Sequence, residues 1–449
     1  MLRMFFRRIR PGQLIVLVFL GIILLGAGLL CLPAAARSGR PTPFLTSLFT
    51  ATSATCVTGL IRVDTGTHWT MFGQVVILLL IQVGGLGFMT IACLFFFALR
   101  RRIGLRQRMV IAQALGSDTY SGIVSLVRNI LRGTAAVEGV GALILFFRFL
   151  PEFGFGRALW YGVFHSVSAF CNAGFDVLAD VDAGGSLCRY ATDPVVNFTI
   201  MALIIIGGLG FAVWGDIRHH RRFSRLSVYS RLVVIITTVL IFGGAGVFAA
   251  LEWNNPNTIG DLTVPQKLMA ALFQSVTLRT AGFATFDQNA LSDVSKAASD
   301  LLMLVGGSSG STAGGVKTAT VGVILLSAWS TARGRTSVHV MKRRIPRQAV
   351  ENASALFILV LLLSGLGAAF LSIADHVSLE NALYETISAL CTVGLTTGIT
   401  SSLGTASQII LIVLMFFGRL GIMTISVGFM AANRAEERVS YAETKIMIG

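Results

Sequence analysis

Four short segments carry the residue types from which a cation site can be built without side-chain charge. They are ATCVTGL (Ala54–Leu60), AFCNAGF (Ala169–Phe175), TLRTAGF (Thr277–Phe283) and ALCTVGL (Ala389–Leu395), here loops 1 to 4. Their glycines, Gly59, Gly174, Gly282 and Gly394, lie 115, 108 and 112 residues apart. One such heptapeptide would say little; four at nearly even spacing mark an internal repeat. A bare monovalent cation cannot cross hydrocarbon, so oxygen ligands must replace its lost water. Backbone carbonyls can do this where chains approach closely and torsions are unusual, and glycine permits both because it has no Cβ. A monovalent cation, bound and transported, is the expected ligand. The residues expected to line the site are Val57, Thr58 and Gly59; Asn172, Ala173 and Gly174; Thr280, Ala281 and Gly282; and Thr392, Val393 and Gly394. The alternative for a single glycine is a helix C-cap; fourfold recurrence argues against it. Each loop has one glycine, where potassium channels have TVGYG, so a shorter or less uniform filter is expected.

Other chemistry is poorly supported. The six histidines form no HExxH, the six cysteines no CxxC, and no serine or cysteine sits in a nucleophile motif, which argues against a metal site, a disulfide framework and an enzyme. The chain is 54% hydrophobic and only 13% charged, with a mean hydropathy of +0.77, against about 25% charged in soluble domains. Its net charge of +15 would suggest nucleic acid if it formed a basic domain. Instead the basic residues gather beside the ends of apolar runs, at Arg3–Arg10, Arg100–Arg108, Arg218–Arg231 and Arg333–Arg347. By the positive-inside rule these stretches and both termini face the cytoplasm, and no nucleic-acid partner is expected. Most acids, from Asp64 to Glu385, fall in segments assigned to the external side; each taken singly reads as an ordinary solvated loop residue, and together they would concentrate cations. The run Leu14–Leu32 is longer than a signal-peptide core and reads as a spanning helix.

The elements that must hold the four loops follow from hydropathy. Before each glycine runs a partly polar amphipathic stretch of about a dozen residues: Pro43–Ala54, Arg157–Phe170, Pro265–Leu278 and Leu379–Leu390. These are too short to span, so re-entrant half-helices are predicted. Pro43 and Pro265 suit a first helical turn, and Ser378 an N-cap. Upstream lie spanning helices Gly12–Leu32, Ile123–Leu150, Val228–Trp253 and Ala353–Ala374; downstream lie Gly73–Leu99, Pro194–Gly215, Asp300–Ala332 and Ala406–Ala431. The predicted fold is an all-α integral membrane protein of four tandem repeats, with eight transmembrane helices and four pore helices around one pore. The repeats cover residues 1–108, 109–222, 223–335 and 336–431, followed by a tail at 432–449.

The downstream helices share a glycine register: Gly84, Gly207, Gly306 and Gly418 lie 25, 33, 24 and 24 residues beyond their loop glycines. In the third repeat the GGLG of the first two is replaced by Gly306, Gly307, Ser308, Ser309, Gly310, Ser311, Thr312, Ala313, Gly314 and Gly315, followed by Lys317. Such a sequence cannot hold a firm helix, and irregular backbone at membrane depth is tolerated where it lines a cavity; a gate is predicted. A P-loop is excluded by Val316 between glycine and lysine, and a plain linker would make the register accidental. Arg419, in FFGRLGIM, carries a charge at a depth where it normally faces a cavity or a partner, with snorkelling as the alternative. Arg279 is expected to pair with an acid such as Asp287, and Cys56, Cys171 and Cys391 to pack as small buried residues.

The four glycine loops, the two GGLG segments and the Gly/Ser-rich break resemble the Trk/Ktr/HKT superfamily of potassium transporters, most closely its KtrB-type membrane subunits. The resemblance covers nearly the whole chain, which begins at the first repeat without the extra N-terminal helices of TrkH-type members. It implies the ion-conducting subunit of a potassium uptake system, potassium preference because Gly59 stands where sodium-permeable members have serine, and sodium stimulation as in some members. For Arg419 it implies a place in the pore beneath the filter, bonding gate-loop carbonyls. It also implies a homodimer in membrane lipid, docked on a cytoplasmic nucleotide-binding ring of RCK type (KtrA-like), with the basic arms as docking surfaces and the tail YAETKIMIG at the dimer contact. The competing class is an alternating-access Na+/K+ symporter, which also uses broken helices and repeats.

Overall fold

The computed structural model describes residues 11–87, 123–178, 185–335 and 337–421. The sequence expectations for Arg3–Arg10, for 88–122 with its basic stretch, for Asp180 and Asp182, and for 422–449 with the tail lie outside the described residues.

Helices dominate. In chain order they are α1 (Pro11–Leu30), α2 (Phe44–Cys56), α3 (Met71–Leu86), α4 (Ile123–Phe170), α5 (Pro194–Leu209), α6 (Phe211–His220), α7 (Val228–Glu252), α8 (Val264–Thr277), α9 (Asp293–Met303) and α10 (Thr318–Ala332). A small hairpin, β1 (His339–Val340) and β2 (Arg343–Arg344), leads to α11 (Arg347–Asp375), α12 (Leu379–Leu390) and α13 (Thr405–Leu420). The hairpin turns through Met341 and Lys342, both at positive φ, as a two-residue turn requires.

Local chemistry sets the helix starts. Asp193 accepts from the Val195 and Val196 N–H groups at α5, Ser378 from Asn381 at α12, and Thr263 and Gln266 form a capping box at α8. Pro265 sits in the first turn of α8, whereas Pro43 stands one place outside α2, at its N-cap. Short helices lead into the four loops: α2 has 13 residues, α8 has 14 and α12 has 12. The corresponding second stretch is continuous with α4, but Gly154 (φ 72°) breaks the helix three residues after Pro151, so the chain turns there as a proline and a positive-φ glycine dictate.

The straight helix predicted over Pro194–Gly215 is instead two helices, α5 and α6, bent by 93° at Gly210. The cause is backbone: Gly210 has φ 90°, which no regular helix admits. The equivalent glycines end α3 at Gly87 (φ 77°) and α13 at Gly421 (φ 79°).

Three helices, α4, α7 and α11, are long and apolar enough to cross a bilayer, as is α5 with α6 taken as one broken span. They keep large apolar side chains on the outside: Phe242 is 66% exposed and Ile373 77%, a surface suited to lipid. The buried side forms two cores. One joins α1 to α5 through Phe149, Phe164 and Phe170, and the other gathers α11 to α13 through Leu371, Tyr384 and Leu414.

Gly210→Ala is expected to lower the thermal unfolding midpoint in detergent, because its backbone (φ 90°, ψ 144°) is close to a region held almost only by glycine, at a cost of about 1–3 kcal/mol for other residues, and its Cβ would meet Ser308 Oγ. Gly215→Ala, with open space around a helical glycine, is expected to hold or raise the midpoint; equal midpoints for the two variants would contradict this account of the bend.

Candidate cation site where four loops meet

The four loops share one backbone signature. The residue two before each glycine is left-handed, Val57 at φ 56°, Asn172 at 57°, Thr280 at 66° and Thr392 at 52°, and the glycines follow at 100°, 68°, 79° and 90°. Left-handed non-glycine residues cost energy and gather at functional sites. Serine hydroxyls hold the turn from the half-helix: Gly59 N–H donates to Ser53 Oγ at 3.1 Å and Gly394 N–H to Ser388 Oγ at 3.0 Å. In loops 2 and 3 hydroxyls act the other way, with Ser168 Oγ donating to Phe175 O and Thr277 Oγ1 to Phe283 O.

The loops close into a ring. A Cβ on Gly59 would lie 2.6 Å from Ala173 O; on Gly174, 2.7 Å from Ala281 O; on Gly282, 2.7 Å from Val393 O; and on Gly394, 2.0 Å from Thr58 O. Loop 1 therefore abuts loop 2, loop 2 abuts loop 3, loop 3 abuts loop 4, and loop 4 returns to loop 1. All twelve residues are buried. Among the described residues, none of their carbonyl oxygens accepts a hydrogen bond, although buried carbonyls are nearly always paired. Cys56, Cys171 and Cys391 are buried behind the ring.

Beneath the ring the downstream glycines meet the half-helix ends. A Cβ on Gly84 would sit 2.0 Å from Thr55 O, on Gly207 2.0 Å from Phe170 O, and on Gly418 1.9 Å from Leu390 O, each carbonyl four residues before its loop glycine. In the third repeat a Cβ on Gly306 would instead meet Gly314 O. The segment from Leu304 to Lys317 is non-helical, but it is not slack. Gly306 N–H donates to Val316 O at 2.9 Å, Ser308 N–H to Gly208 O at 3.0 Å and Thr312 N–H to Gly207 O at 3.3 Å, while Phe211 N–H donates to Gly310 O at 2.9 Å. Ser308 Oγ donates to Leu209 O, Tyr229 OH to Ser309 O, and Lys317 Nζ to Ala313 O within the loop. Gly314 and Gly315 lie against Thr392 and Cys391, while Ser311 Oγ is buried without a partner. Gly307 lies between Gly208 and Ala313.

Arg419 crosses this region. Its Nη1 donates to Thr312 O at 2.5 Å, and its Nη2 to Gly84 O and, at 3.1 Å, to Gly85 O. One guanidinium on α13 thus ties α3 to the α9–α10 loop. GRLG at 418–421 occupies the place of GGLG at 84–87 and 207–210, a correspondence that sequence reasoning took only as far as the first glycine.

Two expectations change, and one residue goes unforeseen. Arg279 does not pair with Asp287: Asp287 caps a short turn by accepting from Asn289 N–H, and Arg279 Nη2 instead reaches Thr237 Oγ1, Gly306 O and Thr318 Oγ1 at 3.4–3.5 Å. It braces the start and end of the non-helical segment rather than making an ion pair. The external acids are not a free field of charge either. Asp193 pairs with Arg148 and Glu152 with Arg189, Glu252 accepts from Asn255, Thr258 and Ser292, and burial, then the charge of Asp64, pushes the Asp176 carboxyl up to about 7. Finally, Glu138, inside a predicted spanning helix, accepts from Gln82 Nε2 at 3.1 Å on both oxygens. Its position in an apolar run was the available signal.

Among apolar helices, the four loops thus bring together carbonyls of buried residues that have no hydrogen-bond donor among the described residues. The profile of the TrkH family, described as cation transport protein, matches residues 24–438, and the chain belongs to that family. It is a multi-pass membrane protein. The chain is 40% identical to the potassium/sodium uptake protein NtpJ of Enterococcus hirae, over 99% of this chain and 98% of the relative. It is 39% identical to the Ktr system potassium uptake protein B of Bacillus subtilis, over 98% and 97%. Its fold is similar to the crystal structure of the potassium transporter TrkH from Vibrio parahaemolyticus, with a TM-score of 0.74 at 17% identity, covering 93% of this chain and 84% of that one.

Asp287→Asn is expected to leave the yield of monodisperse protein in size-exclusion chromatography at the wild-type level. Arg279→Glu is expected to abolish it, since a buried unpaired carboxylate costs several kcal/mol. Equal yields would contradict the bracing role of Arg279.

Proposed function

We propose that the chain is the ion-conducting subunit of a potassium uptake system, passing K+ down its electrochemical gradient through a filter built from loops 1 to 4. The observation that carries this reading is the closed ring of buried carbonyl oxygens with no hydrogen-bond donor. Such oxygens can stand in for the water of a monovalent cation. The α2, α8 and α12 C-termini and the end of α4 at the ring add the negative ends of four helix dipoles. In this reading the chain has four repeats, at 1–108, 109–222, 223–335 and 336–431, with eight spans and four pore helices, and both termini are cytoplasmic.

The gate is the loop from Gly306 to Lys317 with Arg419. It lies against the inner ends of loops 2 and 4, and a guanidinium there raises the barrier to cations. Regulation is assigned to a cytoplasmic partner, an RCK-type nucleotide-binding ring, with the membrane subunit a homodimer. The names of the Ktr system relatives support a multi-component system. Arg218, Arg221, Arg222, Arg343, Arg344 and Arg347 are exposed and offer it a basic surface. An alternating-access symporter has less support, because two inverted halves do not call for a four-membered ring.

In proteoliposomes, Arg419→Ala and deletion of Ser308–Ala313 are each expected to raise passive K+ flux severalfold; unchanged flux in both would remove the gate. In planar bilayers, Gly59→Ser is expected to shift the reversal potential toward sodium, since its side chain would strike Ala173 O. An unshifted potential with preserved current would count against the filter.

A further inference from the structure

Thr312 is fully buried and joins more elements than any other hydroxyl of the α9–α10 loop. Its Oγ1 donates to Phe170 O at 2.9 Å and lies 3.4 Å from Asn172 Oδ1. Its N–H donates to Gly207 O, and its own carbonyl accepts from Arg419. Phe170 is the last residue of α4, so its carbonyl is one of the four that a helix end leaves without an internal partner. Asn172 is the left-handed residue of loop 2, two before Gly174. The other loop side chains are turned elsewhere: Ser308 bonds Leu209 O, Lys317 bonds the loop itself, and Ser311 has no partner. Among the described residues, Thr312 is the side chain of this segment that bonds the end of a half-helix, while the reverse link, from a loop to this segment, is made by Arg279 of loop 3 to Gly306 O.

We propose that Thr312 is a selectivity-setting positioning residue: it fastens the intramembrane loop to the second filter loop, so that movement of one alters the geometry of the other. The inference rests on the filter and gate reading above and adds to it a link between the two. A plug that merely blocked the path could leave without changing ion preference. Here withdrawal must break the Thr312 hydroxyl bond and leave the Phe170 carbonyl without its partner, two residues before Asn172, which is held in a costly backbone conformation. The close fit on the opposite side, where Gly314 lies against Thr392 of loop 4, gives the loop a second foothold on the ring without a hydrogen bond.

The test is the K+/Na+ permeability ratio, from reversal potentials of the full-length protein in planar bilayers, with conductance measured alongside. Thr312→Val is expected to raise conductance and lower the ratio about two- to tenfold, the equivalent of one hydrogen bond of about 0.5–1.5 kcal/mol. Thr312→Ser, which keeps the hydroxyl, is expected to restore the wild-type ratio. Should Thr312→Val not reach the membrane, Thr312→Cys, with only a weak donor, is expected to shift the ratio in the same direction. A ratio unchanged by Thr312→Val or Thr312→Cys, where Gly59→Ser does shift it, would overturn the coupling and leave the filter standing. A ratio unchanged by all of them would overturn both.

Discussion

A Cβ at Gly59, Gly174, Gly282 or Gly394 would meet the backbone of the next loop in the ring and force it to shift. That contact requires the four half-helices to end close together and each loop to turn through a left-handed residue. The same restriction passes down one layer, where Gly84, Gly207 and Gly418 must also lack a Cβ for the downstream helices to reach the half-helix ends. Close backbone approach therefore organises two successive layers. The larger side chains, from Phe149 to Tyr384, pack outside them.

The ring sets carbonyls of twelve buried residues together with no hydrogen-bond donor among the described residues, a state that buried backbone groups seldom keep. Beneath the ring the opposite holds: the α9–α10 loop is irregular but richly bonded, to the bend at Gly210, to Arg419 and to its own Lys317. The irregular segment is thus held by specific bonds that a conformational change can exchange, in keeping with a two-state element.

Much of this arrangement is readable from residue types. Loop glycines recur at nearly even spacing and the four loops share one backbone signature, and amphipathic stretches of a dozen residues mark the short helices that lead into them; the predicted Leu379–Leu390 coincides with α12. The register of Gly84, Gly207 and Gly418 foretells a shared packing position. The bend at Gly210 is harder to see, since apolar residues continue on both sides and a single glycine inside such a run is compatible with a straight helix. Arg279 misleads because proximity in sequence to Asp287 suggests an ion pair, whereas its acceptors come from α7 and from either end of the non-helical segment. The acids mislead in the same way: which of them are paired or buried depends on tertiary contacts that no local pattern encodes.

The central claim concerns where the ion sits, and anomalous diffraction from crystals grown with Tl+ or Rb+ in place of K+ addresses it directly. Ion density enclosed by loops 1 to 4, bordered by residues from all four and diminished when Na+ replaces the heavier ion, is the predicted result. Density confined to some other part of the molecule, with the ring holding none at ion concentrations that support flux, would contradict it.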